Sequence, residues 1–376
     1  MAETGVEVRR LAIDVLERIE RDGAYANLVL PSALAESDLD ERDRGFVTEL
    51  VYGATRMKRT LDYATDRFVD RDDVDSRVRA ALRAGTHQLL HMRVPGHAAV
   101  DATVAATPKR GRGFVNAILR KVSSAGTPEW PTEAIRLSYP NWILERLKAD
   151  LGDRAIPVLE AMNRPATTHV RPDGYRQDLS SQEVSKLVEP VGSGGVVLDL
   201  CAAPGGKATF IAGASEGTVI GSDLHEHRAG LVATAAVDTG SSVLPVVADA
   251  MSAPYRPGAA DAVLIDAPCS GLGSLRRRAD ARWRITPADV DNLADLQFGL
   301  VKAATELVRS GGQVVFSICT LTAAESIAVD ERVAAELPEL AADSLPDPWE
   351  SFGRGGRLLP DSFEGDGMAA FSYRRS

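Results

Sequence analysis

The sequence predicts an α/β protein, with a mainly parallel, doubly wound sheet in its second half and an all-α domain before it. Three observations carry that expectation. From about Val6 to Lys121 apolar residues recur at helical spacing and no strand-like alternation is present. From Val196 onward, short β-branched runs alternate with helical stretches, the rhythm of a parallel sheet covered on both faces. Four of those runs end, one after another, in Asp199, Asp223, Asp249 and Asp266.

At 376 residues the chain is long enough for two or three domains with cores of their own. Hydrophobic residues make up 44% and charged residues 26%, the balance of a soluble globular protein rather than a disordered one. No apolar run is long enough to cross a bilayer, and residues 1–10 lack the apolar core of a signal peptide. A cytoplasmic protein with no membrane partner is therefore expected, and a monomer. The three cysteines form neither an even disulfide framework nor a zinc-like pair spacing, so no metal is expected. The net charge of −10 argues against indiscriminate nucleic-acid binding, but docking depends on local clusters. Two are present: Lys109, Arg110 and Arg112 with Arg120 and Lys121, and Arg276, Arg277 and Arg278 with Arg282 and Arg284. The first reads equally well as a solvated face. The second follows a chemically loaded motif directly and is the better candidate for a functional patch.

In the helical part, Leu11, Val15, Leu16 and Ile19 share one helix face. Asp40-Glu41-Arg42-Asp43 precedes Phe46, Val47, Leu50 and Val51, as acids precede a helix start. Leu61–Val69, Val78–Leu90 and His97–Ala106 continue the pattern. His87, His91 and His97 read as core or surface residues; His87 and His91 are one turn apart, but no nearby carboxylate completes a metal site. The helical domain is placed at 5–125, a helical linker at 126–176 and the sheet domain at 177–376, with the boundary in the polar, proline-containing stretch between Asn163 and Gln177.

The sheet domain is organised around Val196-Val197-Leu198-Asp199-Leu200-Cys201-Ala202-Ala203-Pro204-Gly205-Gly206-Lys207, a buried strand, a tight glycine turn and a helix start. Such a loop brings backbone N–H groups to a ligand beyond the carboxyl end of the sheet. It lacks both the dinucleotide fingerprint and the phosphate-loop pattern. Asp223, ending the second strand, suits a ribose, and Asp249 an adenine edge. A phosphate-free adenosine cofactor such as S-adenosylmethionine fits better than NAD or ATP.

Cys201, Cys269 and Cys319 all lie near strand ends. A free cysteine is often a small core hydrophobe. Cys269, however, stands in the turn Asp266-Ala267-Pro268-Cys269-Ser270-Gly271-Leu272-Gly273, and Cys319 ends the strand Gln313–Cys319. Two thiols beside a methyl donor have a use. A thiolate that adds to C6 of a pyrimidine makes C5 nucleophilic, so covalent catalysis divides one difficult methylation into easier steps.

These motifs, with Ser317-Ile318-Cys319-Thr320-Leu321-Thr322, resemble the RNA (cytosine-5)-methyltransferases, in the branch of the bacterial ribosomal small-subunit methyltransferase B. The likeness spans nearly the whole chain. Glu49-Leu50-Val51-Tyr52-Gly53 and Gly113–Arg120 are similar to that family's NusB-like RNA-binding domain, and Arg357–Pro360 with Gly365–Met368 to its closing motif. The resemblance implies a Rossmann-like class I methyltransferase domain after a NusB-like domain. It implies that Cys319 attacks C6 and Cys269 assists release, with Asp266 facing the cytosine and Lys207 orienting it. Cys201, Ala202, Ala203, Pro204, Gly205, Gly206, Lys207, Asp223, Arg228, Asp249 and Asp266 would hold S-adenosylmethionine. Arg276, Arg277, Arg278, Arg282 and Arg284, with Lys109, Arg110 and Arg112, would hold RNA phosphates. Three features depart from the family pattern. Ile318 replaces a threonine, Met368 replaces an aromatic residue, and only about residues 168–182 stand where a small α/β subdomain is usual. The expected reaction is 5-methylcytosine formation in RNA, most of all 16S ribosomal RNA. Transfer RNA as substrate, or a non-catalytic role in ribosome assembly, are the alternatives.

Overall fold

Helical periodicity in the first third of the sequence becomes a bundle. The computed structural model describes residues 2–70 and 73–376, which divide into two compact units. The first holds the chain up to Glu145, together with Asn163–Pro165 and Leu275–Arg284. Its helices are α1 (Ala2–Arg21), α2 (Ala26–Ala35), α3 (Glu41–Arg56), α4 (Lys58–Asp66), α5 (Ser76–Leu90), α6 (Gly96–Ala106), α7 (Arg112–Ala125) and α8 (Glu133–Arg136). Asp40 caps α3 by accepting the Asp43 N–H at 2.8 Å, and Asp75 caps α5 through the N–H groups of Arg77 and Val78. Each such cap contributes about 1 kcal/mol. Ile13, Leu16, Leu50, Val51, Leu61, Leu82 and Leu119 meet in one core. His87 is buried there beside His91, and Glu49 Oε1 comes within 3.7 Å of its Nε2, a neighbour that sequence spacing did not show. Burial lowers the pKa of both imidazoles, that of His91 to about 4, so both are neutral at pH 7. Among the described residues no three His, Cys, Asp or Glu side chains gather into a metal-holding group.

The second unit begins within α9 (Asn141–Leu151), at Arg146, and continues through α10 (Ala155–Ala161) and α11 (Leu179–Leu187) into the sheet. The alternating elements are β1 (Val196–Asp199), α12 (Gly206–Ala214), β2 (Thr218–Asp223), α13 (Glu226–Thr239), β3 (Leu244–Val247), β4 (Ala260–Asp266), α14 (Pro287–Leu307) and β5 (Val308–Ile318). These five strands are parallel, in the order β3-β2-β1-β4-β5. The chain closes with α15 (Ile327–Glu336), β6 (Leu340–Asp343), β7 (Glu350–Phe352), β8 (Gly355–Leu358) and β9 (Met368–Arg375). β9 adds antiparallel to β5 and carries β8 and β6, and β8 carries β7, so the parallel core gains an antiparallel extension.

Side-chain alternation accounts for two apolar layers. Leu198, Val263, Ile265, Val314, Phe316 and Ile318 enter one, whereas Val197, Ala262, Leu264 and Val315 enter the other. Full burial of a side chain such as Phe316 contributes roughly 1.5–3 kcal/mol. Ile318 belongs wholly to the first layer, which suits an aliphatic side chain where threonine would bury a hydroxyl. Met368 is likewise buried, paired with Leu358 across β8 and β9. Thr286 opens α14 with a capping box shared with Asp289, followed by Pro287 at the first helical position. Where the small subdomain was expected to be reduced, residues 166–178 form a tight hairpin closed by a bridge between Val170 and Arg176.

The second basic cluster corrects an expectation. Arg282 has no exposed surface: its guanidinium lies 4.1 Å over the Tyr139 ring and donates to Asn163 Oδ1 at 2.8 Å and to the Ser138 carbonyl at 3.2 Å. Such a side chain has no face for a phosphate; it is a strut of the helical unit. Arg276 is also buried, and Arg284 spends its guanidinium on Asp280 and the carbonyls of Gly23 and Ala24. Arg277 is half-buried and Arg278 exposed. The charge run reads as a surface patch only when burial is unknown. Arg282→Ala strips several hydrogen bonds made by a charged group, at about 1.5–3 kcal/mol each before relaxation. The helical unit of that variant is expected to unfold at lower denaturant concentration, read by circular dichroism; an unchanged midpoint would contradict the strut.

Candidate active site

β1 delivers Asp199 to the end of the sheet, and the chain then turns through 200–205 into α12. Gly205 makes the turn at φ +109°, and a Cβ there would stand 2.8 Å from the Ala235 Cβ and 3.1 Å from the Val232 Cα. No other residue fits both the backbone angle and the space. The Ala202 N–H bonds the Ser222 carbonyl at 2.8 Å and ties the turn to β2, while Ala203 and Pro204 lie on its outer side. Asp199 is fully buried, with one oxygen accepting weakly from the Cys201 N–H at 3.4 Å and Oδ2 without a partner among the described residues. Burial, reinforced by the neighbouring Asp266, raises its pKa to about 7. Burial also pushes the Cys201 thiol up, so it is neutral. Asp223 receives Arg228 Nε at 3.0 Å on both oxygens, and Arg228 also reaches the Ala203 carbonyl at 3.3 Å. Asp249 caps a short turn through the Met251 N–H at 2.9 Å.

One support of this loop escaped the sequence reading. Arg171, buried in the hairpin, donates to the Gly206 carbonyl at 2.6 Å, to Thr209 Oγ1 at 3.1 Å and to Gln177 Oε1 at 2.9 Å, and it pairs with Asp173. The Tyr175 ring packs where a Gly206 side chain would begin. The short hairpin thereby braces the first turn of α12. No motif in residues 166–178 announces that role.

β4 and β5 bring the two distant cysteines together. Asp266 pairs in register with Ser317, whose hydroxyl donates to Asp266 Oδ1 at 3.0 Å, and Lys207 Nζ donates to Asp266 Oδ2 at 2.7 Å. Burial works against the Lys207 charge, but the Asp266 carboxylate overrides it and holds the amine above its ordinary pKa. Three residues beyond Asp266, Cys269 Sγ stands 3.2 Å from Cys319 Sγ, and both residues are half-buried. The shared hydrogen bond, with burial added, pushes the Cys269 thiol well up, and either sulfur can donate in the pair. The Cys319 carbonyl accepts the Gly273 N–H at 3.0 Å, and the Gly273 carbonyl accepts the Gly367 N–H at 2.8 Å. A Cβ on Gly273 would lie 2.1 Å from the Gly367 oxygen, so this lacing of three loops requires glycine there. Thus Lys207, Asp266, Cys269 and Cys319 converge, with Cys201, Asp199, Asp223 and Arg228 around the neighbouring loop. In the helical unit, Lys109 is exposed, Arg110 is exposed and pairs with Asp75 at 3.0 Å, and Arg112 donates to the Thr107 and Ala105 carbonyls.

Residues 187–372 match the family described as 16S rRNA methyltransferase RsmB/F, and residues 6–124 match the NusB family. A probable ribosomal RNA small subunit methyltransferase B of Bacillus subtilis is 30% identical over 98% of both chains. The ribosomal RNA small subunit methyltransferase B of Thermus thermophilus is 34% identical over 98% of this chain and 97% of its own. The chain belongs to the RsmB/F family of ribosomal RNA methyltransferases. The crystal structure of PH0851 shares the fold, with a TM-score of 0.80 over 99% of this chain and 98% of its own at 21% identity. A methyltransferase homolog from Pyrococcus horikoshii does so over 65% of this chain and 97% of its own, with a TM-score of 0.55 at 21% identity. A methyltransferase domain of Rossmann-like architecture following a NusB-like helical domain is therefore the organisation of this chain. Among the described residues no helix is long and apolar enough to cross a membrane.

The raised pKa of Asp199 has a measurable sign. Unfolded, this carboxyl loses its proton near pH 4; folded, it keeps it until about pH 7. Between those values the native state binds the extra proton, so stability falls as pH rises and levels off above 7. Asp199→Asn is expected to flatten the fall between pH 4 and 7 in denaturant titrations. Identical slopes in variant and parent would rule out Asp199 as its source.

Proposed function

We propose that this chain transfers the methyl group of S-adenosylmethionine to C5 of a cytosine in 16S ribosomal RNA, through a covalent bond between Cys319 Sγ and C6 of the base. The observation that carries the reading is the pair of sulfurs 3.2 Å apart beside the Lys207–Asp266 ion pair. One thiol serves addition; two in contact serve addition and release.

The loop 201–206 is suited to a cationic, phosphate-free cofactor. The carboxyl groups of Asp199, Asp223 and Asp266 surround it, Asp199 Oδ2 is buried without a partner among the described residues, and the nearby cations Lys207 and Arg228 are already paired. Cys201, Ala202, Ala203, Pro204, Gly205 and Gly206 would line the cofactor, with Asp223, Arg228 and Asp249 on its nucleoside side. When bound, S-adenosylmethionine supplies an electrophilic methyl carbon on a sulfonium.

The chain's own residues do the rest. Cys319 Sγ adds to C6 as a thiolate, and the displaced ring electrons make C5 the nucleophile. Asp266 accepts from the exocyclic amine of the cytosine, and the Lys207 ammonium offsets charge that develops on that edge. After methylation C5 gives up its proton to a solvent water, the electrons of that C–H bond reform the C5–C6 double bond and the C6–S bond breaks. Cys319 then departs as a thiolate, and the Cys269 S–H stabilises it by hydrogen bonding. Lys109, Arg110, Arg112, Arg277 and Arg278 would meet RNA phosphates, and the protein acts in the cytoplasm.

Incubation with methyl-labelled S-adenosylmethionine and unmodified 16S ribosomal RNA is expected to label cytosine. Cys319→Ala abolishes labelling, whereas Cys269→Ala accumulates a protein–RNA adduct that survives denaturing electrophoresis. Absence of label in cytosine with the parent enzyme, or full activity of Cys319→Ala, would overturn the proposal.

A further inference from the structure

We propose that Glu325 is a positioning residue that holds Cys269 against Cys319, and that it governs release of the methylated base more than formation of the adduct. This role rests on the covalent reading above. Glu325 has no exposed surface. Its carboxylate nevertheless accepts five hydrogen bonds: the Ser270 N–H at 2.7 Å and Gln297 Nε2 at 3.2 Å on Oε1, and the hydroxyls of Ser270 at 2.6 Å, Thr320 at 3.1 Å and Thr322 at 2.8 Å on Oε2. Removing a carboxylate from water costs several kcal/mol, and only so complete a set of donors offsets it. An aliphatic side chain would fill such a site without that cost.

The donors explain why a carboxylate stands there. Ser270 follows Cys269 and Thr320 follows Cys319, so a single anion ties the residues next to both sulfurs. Gln297, itself fully buried on α14, also donates to the Pro268 carbonyl at 2.9 Å, and so fixes the other side of Cys269. The ladder of β4 on β5 ends at Asp266 and Ser317, with one further bond from the Ala267 N–H to the Ser317 carbonyl at 2.9 Å. Beyond that point the two loops have no strand pairing, and their alignment depends on other bonds. Cys319 keeps its own tether, the Gly273 N–H on its carbonyl. The flanks of Cys269 are held through Glu325 and Gln297, which also keep the Ser270 hydroxyl 2.9 Å from that of Thr320. Loss of Glu325 therefore loosens Cys269 first, and misplacement of a reacting group by about 1 Å costs on the order of 10²-fold in rate.

The test compares Glu325→Ala and Glu325→Gln in the full chain. Glutamine keeps the volume and an oxygen for the Ser270 and Gln297 donors, while its amide N–H groups face hydroxyls able to rotate and accept. It guards against a variant that fails to fold. Expected for Glu325→Ala are unchanged affinity for S-adenosylmethionine by calorimetry, first-turnover methylation of 16S ribosomal RNA that persists, and multiple turnover reduced about tenfold or more. The protein–RNA adduct accumulates as in Cys269→Ala, and Glu325→Gln restores turnover in part. A second readout is independent of the methylation chemistry. Diamide takes two electrons from the two thiols to form a disulfide, and mass spectrometry measures the 269–319 link. The parent cross-links readily and Glu325→Ala about tenfold more slowly, in proportion to the lost juxtaposition. If the parent methylates no cytosine, the covalent reading fails while the diamide comparison still decides the positioning role. Turnover and cross-linking at parental rates in both variants would overturn it, as would loss of methylation without adduct in a folded Glu325→Ala.

Discussion

The parallel pairing of β4 with β5 is the constraint on which the site depends. Its register sets Asp266 opposite Ser317, so the chain leaves the sheet at the same height on both strands. Each strand then needs only a few residues to bring a cysteine over the same place. A slip of one residue would move every side chain of the strand into the opposite apolar layer, so that Phe316 would crowd the layer that holds Val315 and leave a void in its own. The core therefore enforces the register, and the register enforces the meeting of the sulfurs.

Charge in the site is arranged around that meeting. Lys207 crosses from the first turn of α12 to Asp266, and so links the glycine turn after β1 with the end of β4. Asp199, in a drier place, keeps its proton to about pH 7 and adds no second full negative charge there under acidic conditions. Glu325 stays satisfied behind the sulfurs by main-chain and hydroxyl donors. Three carboxyl groups within one strand-end region thus play different parts because burial and donors differ.

A brief local device braces the start of α12. The hairpin at 166–178 is short, yet Arg171 reaches from it to the backbone and side chains of α12. In the helical unit Arg282 plays a comparable part, a cation spent on carbonyls and an aromatic face. Both are arginines for the same reason: a planar fork with several donors satisfies several acceptors at once.

Much of this was legible in the residues. The strand, glycine turn and helix of 196–207, the acids at successive strand ends and the cysteines at 269 and 319 point to the proposed site, because local periodicity and turn chemistry need only neighbours in sequence. The helical domain was legible for the same reason. The antiparallel β6–β9 extension was not, since its pairings join distant segments whose apolar runs resemble any buried strand. Nor was the burial of Arg282, because a charge run looks identical whether solvent or a core surrounds it. Glu325 and Arg171 lie in unremarkable sequence and matter only through partners far away along the chain. Sequence alone determined which chemical groups the protein carries and in what order its strands present them. Tertiary structure alone decided which of those groups touch, because contact between distant residues follows from sheet register and packing that no local pattern encodes.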